Sequence, residues 1–191
     1  MKTLDFQLHR WRAMAWLVLG RPAAALQVFN TMQARWPDDP YVLASRAHLL
    51  VQAGQKVAAL ADSQRLVALQ PEQAHHWFNH GFMLEELGRL EDAEAAFRRA
   101  TSLSPQLDRA WYGLGLVLIR LRRYDEAVAA LKKNTELQPM SPYGWYQLAR
   151  VHLDRQQPEE AAKIIRHLKG FEPKVAAQLE RETGLLAGQG S

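Results

Sequence analysis

Residues 108–141 read DRAWYGLGLVLIRLRRYDEAVAALKKNTELQPMS, and this stretch decides the fold. Trp111, Leu114, Gly115 and Leu118 recur at helical spacing, which predicts a first helix from about Arg109 to Leu121. A turn follows at Arg122–Tyr124. Asp125 and Glu126 then suit the positive end of a second helix. That helix carries Ala127, Val128, Leu131 and Leu137 on its apolar face and ends before Pro139. One such hairpin cannot bury its apolar face alone, so the core must come from stacked neighbours.

The neighbours are present in the same chain. Pro37, Pro71, Pro105, Pro139 and Pro173 are each 34 residues apart, and so are Ala25, Ala59, Ala93, Ala127 and Ala161. With proline at about 5% of residues, four further prolines on one spacing arise by chance on the order of once in 100,000. Trp77, Trp111 and Trp145 share the period, as do Gly81 and Gly115 with Ala13, Ala47 and Ala149 in the same slot. Gly20, Gly54 and Gly88 form another series, continued by Arg122 and Gln156. Five repeats follow without insertion, at 6–39, 40–73, 74–107, 108–141 and 142–175. Residues 1–5 form a lead-in. Residues 176–191 give a short closing helix near Val175–Glu180 and a Gly-rich, frayed tail. Pro22 and Pro158 fit the first turn of second helices, where a missing N–H costs little. Small residues at the eighth and twentieth positions let paired helices approach closely, and the large residue at the fourth fills the volume between them.

Composition bounds the rest. The chain has 191 residues, long enough for one domain with a real core. Hydrophobic residues at 48% and charged residues at 23% exclude a disordered chain. With no cysteine there are no disulfides, no thiolate metal site and no cysteine nucleophile. The net charge of +4 permits an acidic partner without demanding nucleic acid. No apolar run reaches the ~18–20 residues of a membrane span. The excess of Arg (17) over Lys (7), with abundant alanine, suggests a GC-rich bacterial genome. Lys2, Arg10 and Arg12 before Ala13–Leu19 imitate a signal peptide, but the apolar run is only seven residues and the repeat register passes through it. The expected location is therefore cytoplasmic.

The pattern W-x2-L-G, followed by Ala, an aromatic or aliphatic residue and Pro, resembles the tetratricopeptide repeat. Repeat four carries it best, in Trp111, Leu114, Gly115, Leu118, Tyr124, Ala127, Leu131 and Pro139. His80 replaces a leucine in repeat three, His9 and Leu43 replace the tryptophan in repeats one and two, and Ala149 replaces glycine in repeat five. The resemblance implies an all-α fold, a right-handed α-solenoid of antiparallel helix pairs with a short C-terminal capping helix. It also implies a non-catalytic scaffold or adaptor that holds a peptide or protein segment in a concave groove lined by the first helices.

The family's groove positions hold Arg10 and Met14 in repeat one, and Tyr41 and His48 in repeat two. Repeat three offers His75, Phe78 and Phe82, with Asn79 beside them. Repeat four offers Arg109, Tyr112 and Leu116, with Arg120 beyond; repeat five offers Tyr143, Tyr146 and Arg150. Aromatic and Arg side chains are enriched among interface anchors. Arginine also suits carboxylates. The expected partner is thus another protein or peptide, apolar with some acidic residues. The competing reading packs the aromatics as core. A carboxylate clamp of the co-chaperone kind is disfavoured: the corresponding residues are Ala44, His48, Asn79, Arg109 and Gly113, of which only Asn79 matches and Arg109 keeps the charge.

Other chemistry is weakly signalled. His76 and His80 stand four apart, a spacing that can chelate metal, but no second segment supplies a ligand, so structural histidines are expected and no metal or cofactor. No phosphate loop, H-E-x-x-H or G-x-S-x-G is present, which argues against an enzyme. Arg98, Arg99, Arg120, Arg122, Arg123, Lys132 and Lys133 invite an RNA reading. Yet repeat three has three basic against five acidic residues and repeat four has six against four, which breaks a phosphate track. Leu4, Leu8 and Trp11 lie on the terminal helix with nothing before them in the array, so they cover themselves or bind another copy. Self-assembly through the ends and the convex face is the alternative function.

Overall fold

A computed structural model describes residues 4–185. Eleven α-helices account for the ordered backbone among them: α1 (Leu4–Val18), α2 (Pro22–Arg35), α3 (Pro40–Gln52), α4 (Lys56–Leu69), α5 (Ala74–Glu86), α6 (Leu90–Leu103), α7 (Asp108–Arg120), α8 (Tyr124–Leu137), α9 (Pro142–Asp154), α10 (Pro158–Lys169) and α11 (Pro173–Thr183). The architecture is all-α, with consecutive helices joined by short turns. The lead-in residues 1–3 and tail residues 186–191 lie outside the described residues.

The sequence dictates where the helices start. Proline occupies the first turn of α2, α3, α9, α10 and α11. Asp39 caps α3 by accepting from the Val42 N–H at 3.1 Å. The three period tryptophans act as pins. Trp77 Nε1 donates to the Pro71 carbonyl at 2.8 Å, Trp111 to Pro105 at 2.9 Å and Trp145 to Pro139 at 2.9 Å. Each bond ties the loop between repeats to the first helix of the next repeat and satisfies an indole donor beside apolar packing.

The chain divides into two compact units, Met1–Arg89 and Leu90–Ser191. In the first, α1 packs on α2, α2 on α3, α3 on α4 and α4 on α5. Its core centres on Phe6, Phe29, Met32, Val42, Leu49 and Leu50. The Ala13–Leu19 stretch is the second half of α1 and the turn after it, and Ala13 is buried in this core. In the second unit, α6 packs on α7, α7 on α8, α8 on α9, α9 on α10 and α10 on α11. Phe97, Leu118, Leu131, Ile165, Leu168 and Leu179 are fully buried there. Close approach explains Gly115: a Cβ on it would sit 2.7 Å from Cγ of Leu131 on the paired helix.

Candidate functional site

In the N-terminal unit a hollow of about 300 Å³ opens between α3 and α5, over α4. Ala44, Ala47, His48 and Val51 line it from α3, Ser63 and Leu66 from α4, and His76, Phe78, Asn79, Phe82 and Met83 from α5. Its origin is a break in the repeat. The twenty-fourth position holds Phe29, Phe97, Leu131 and Ile165, all buried, but in repeat two it holds Ser63. Serine leaves unfilled the volume that a large side chain takes elsewhere. Its hydroxyl donates to the Leu60 carbonyl at 2.9 Å and meets Nδ1 of His80 at 2.8 Å. The two departures from the repeat pattern therefore satisfy each other.

A second polar pair lies alongside. The buried Asp62 accepts from Arg46 through both carboxylate oxygens, with Nε to Oδ2 at 2.7 Å. This two-point contact joins α3 to α4. His76 Nε2 lies 2.8 Å from Oε1 of Gln70. Burial first, and the neighbouring His75 second, pull its pKa below the usual imidazole value. The hollow wall is therefore uncharged there at neutral pH.

The sequence-expected residues of this unit divide. His48, Phe78, Asn79 and Phe82 converge on the hollow, with Phe82 and Asn79 exposed at its rim. Tyr41 turns into the core, its ring 6.4 Å from Phe6 and 5.9 Å from Phe29, with the Arg10 guanidinium 5.3 Å over it. Met14 is exposed on α1 and His75 is exposed on α5; neither lines the hollow.

The C-terminal unit has a hollow of about 310 Å³. Tyr112 of α7, Pro142, Tyr143, Tyr146 and Gln147 of α9, and Val175 and Gln178 of α11 line it. Tyr143 stands out from its rim, 70% exposed. Tyr146 donates to Glu182 of α11 at 2.6 Å, Gln178 donates to the same carboxylate at 2.7 Å, and Arg150 donates to the Tyr146 oxygen at 3.2 Å. The bond from Tyr146 chiefly, then that from Gln178, holds the Glu182 carboxyl below its usual range. Arg150, expected to meet an acidic ligand, thus faces a carboxylate of its own chain, 3.6 Å away. Arg109 and Arg120 are exposed and Leu116 is half-buried; none of the three lines the hollow.

Sequence reasoning missed Ser63, Ala47, Leu66 and Met83 in the first hollow, and Pro142, Gln147, Val175 and Gln178 in the second. Ser63 carried a signal, since it breaks an apolar column of period 34. Gln178 carried none, because it follows the repeats.

Among the described residues no three His, Asp or Glu side chains converge to hold a metal ion. His76 and His80 are instead engaged by Gln70 and Ser63. No helix among them is long and apolar enough to cross a membrane.

The family model for the tetratricopeptide repeat matches residues 4–40, 45–108, 87–139 and 112–173. The chain belongs to the tetratricopeptide-repeat family. Its fold is that of an α-solenoid interaction scaffold, a class whose members are generally non-catalytic. No curated protein has a significantly similar sequence. Among solved structures, a crystal structure of MamA is 17% identical with a TM-score of 0.82, covering 94% of this chain and 96% of that one. YrrB, described as a tetratricopeptide-repeat protein with an unusual peptide-binding site, is 16% identical with a TM-score of 0.77, covering 88% of each chain. A thermophilic tetratricopeptide-repeat protein of Thermus thermophilus, TTC0263, is 23% identical with a TM-score of 0.66, covering 94% and 99%. At these identities the likeness establishes the fold.

Proposed function

We propose that the chain is a docking scaffold for segments of another protein, held through large apolar side chains that enter either hollow. The observation that carries this reading is the Ser63 hollow, a space opened by a local departure from an otherwise apolar column. A dry engineered cavity of about 150 Å³ takes one benzene, so a hollow of about 300 Å³ has room for one aromatic or leucine side chain and its flanking atoms. Burying such a side chain contributes roughly 1.5–3 kcal/mol. The ligand anchor is therefore apolar, with hydrogen-bonding partners available at His48 and Asn79. In the C-terminal unit the exposed Tyr143 and the half-buried Tyr112 and Tyr146 offer amphipathic contact area of the kind found at interfaces.

The relative with a peptide-binding site in its description shares only the fold, so it supports the class of ligand and not its sequence. The basic clusters fit this reading better than a nucleic-acid track. Arg98 and Arg123 are bound to Glu94 and Glu126 in one surface network, with contacts of 2.6–2.8 Å.

Selection from a random peptide display library on the immobilised chain tests the proposal. Enriched peptides should share a large apolar residue, and their binding should fall at least about tenfold on Phe82→Ala. Enrichment of peptides indifferent to Phe82→Ala and Tyr143→Ala would sink it.

A further inference from the structure

Helix α1 exposes side chains at three positions that α7 buries. Leu8, Trp11 and Ala15 of α1 stand at the repeat positions of Ala110, Gly113 and Val117 in α7. Those three are buried, and a Cβ on Gly113 would sit 2.7 Å from the Phe97 ring on α6, the helix before it. The same positions in α3, Val42 and Leu49, are buried where α2 packs. On α1 they face solvent: Leu8 is 53% exposed and Trp11 66%, flanked by Leu4 at 75% and Val18 at 84%. Terminal faces of repeat arrays are ordinarily polar. This one is a continuous apolar stripe.

Leu4, Leu8, Trp11, Ala15 and Val18 step by four, three, four and three residues. That 3.5-residue period is the seam of paired helices. An antiparallel pairing of two copies sets Leu8 against Trp11, and the larger Leu4 against the small Ala15. It also places Asp5, which pairs with Arg35 of its own chain at 2.6 Å, within a turn of the partner copy's Arg12, whereas a parallel pairing loses that match. At roughly 100 Å² of apolar surface per large side chain, Leu4, Leu8, Trp11 and Val18 of both copies bury about 800 Å², the size of a weak, transient contact.

We infer that the occupant of this face is a second copy of the chain, in an isologous, antiparallel α1–α1 dimer of micromolar affinity. This is independent of the groove reading, since no stripe residue lines either hollow.

Sedimentation equilibrium of the full chain from about 1 to about 200 µM tests it, with Leu8→Lys/Trp11→Lys as the variant. Both sites are exposed, and circular dichroism should show unchanged helicity. The expected result is a monomer–dimer equilibrium that stops at two copies, weakened at least about 100-fold in the variant. A single Arg12→Glu should weaken it about threefold to tenfold. A wild-type monomer at every concentration overturns the proposal. So does a dimer that survives the double variant, or a mass that grows past two, which marks a head-to-tail contact.

Discussion

The Ser63 hydroxyl lies 2.8 Å from Nδ1 of His80, a polar pair at two positions that the following repeats fill with large apolar side chains. The next two repeats put Phe97 with Leu114, then Leu131 with Leu148, at the same pair of positions, all buried. Replacing both polar partners with apolar residues is close to neutral for stability, whereas replacing one disturbs a satisfied buried bond. Ser63→Leu/His80→Leu should therefore stay within about 1 kcal/mol of the wild type in urea denaturation, while Ser63→Leu alone should cost about 1–3 kcal/mol. The double variant should also fill the hollow and abolish peptide binding. Retained binding in a stable double variant contradicts the role given to this space.

Arg46 and Asp62 form the other buried polar pair. Removing one partner leaves a charge in a site shielded from water, so Asp62→Ala should destabilise by about 3–5 kcal/mol. Arg46→Leu/Asp62→Leu should recover most of that loss. Chemical denaturation of the three proteins reads the difference, and a harmless Asp62→Ala would show that the pair is not desolvated.

Arg122 and Gln156 sit at φ +59° each, in the slot where Gly20, Gly54 and Gly88 have φ between +68° and +75°. A left-handed backbone costs a side-chain-bearing residue roughly 1–2 kcal/mol. Glycine relieves that strain but gains freedom in the unfolded chain. Arg122→Gly and Gln156→Gly should each stabilise by about 0.5–1 kcal/mol and raise the thermal midpoint, without altering peptide binding.

Acidification should weaken both the fold and the first hollow. His76 has a folded-state pKa below its ordinary 6.5, through burial first and His75 second. Below that value the unfolded chain binds the proton more readily than the folded one. The contribution to stability is full above pH 6.5 and is lost as pH falls through the folded pKa. Denaturation and peptide titrations at pH 7.5 and pH 5.5 (about two units apart) should show weaker values at the lower pH, and His76→Gln should flatten the difference. A pH-independent wild type contradicts this assignment.

The helices were legible because their information is repeated. Thirty-four-residue spacing fixes the turns, and Trp111, Gly115 and Leu131 locate one hairpin well enough to place the others. Part of the site was legible on the same basis, since Phe78, Phe82, Tyr112, Tyr143 and Tyr146 occupy recurrent positions. What escaped depends on departures from the period. The direction of Tyr41 follows from the bulk of Phe6 and Phe29 around it, and the hollow follows from Ser63. Both are packing outcomes that a register cannot display. Glu182 meets Tyr146 from a helix outside the repeats, so no spacing announces it.

The most direct test of the scaffold reading is calorimetric titration of a display-selected peptide against the wild type, Phe82→Ala, Tyr143→Ala and the surface control Lys133→Ala. Binding that falls about tenfold or more on at least one aromatic variant, with Lys133→Ala unchanged, is the predicted result. Equal affinity for all four proteins contradicts it.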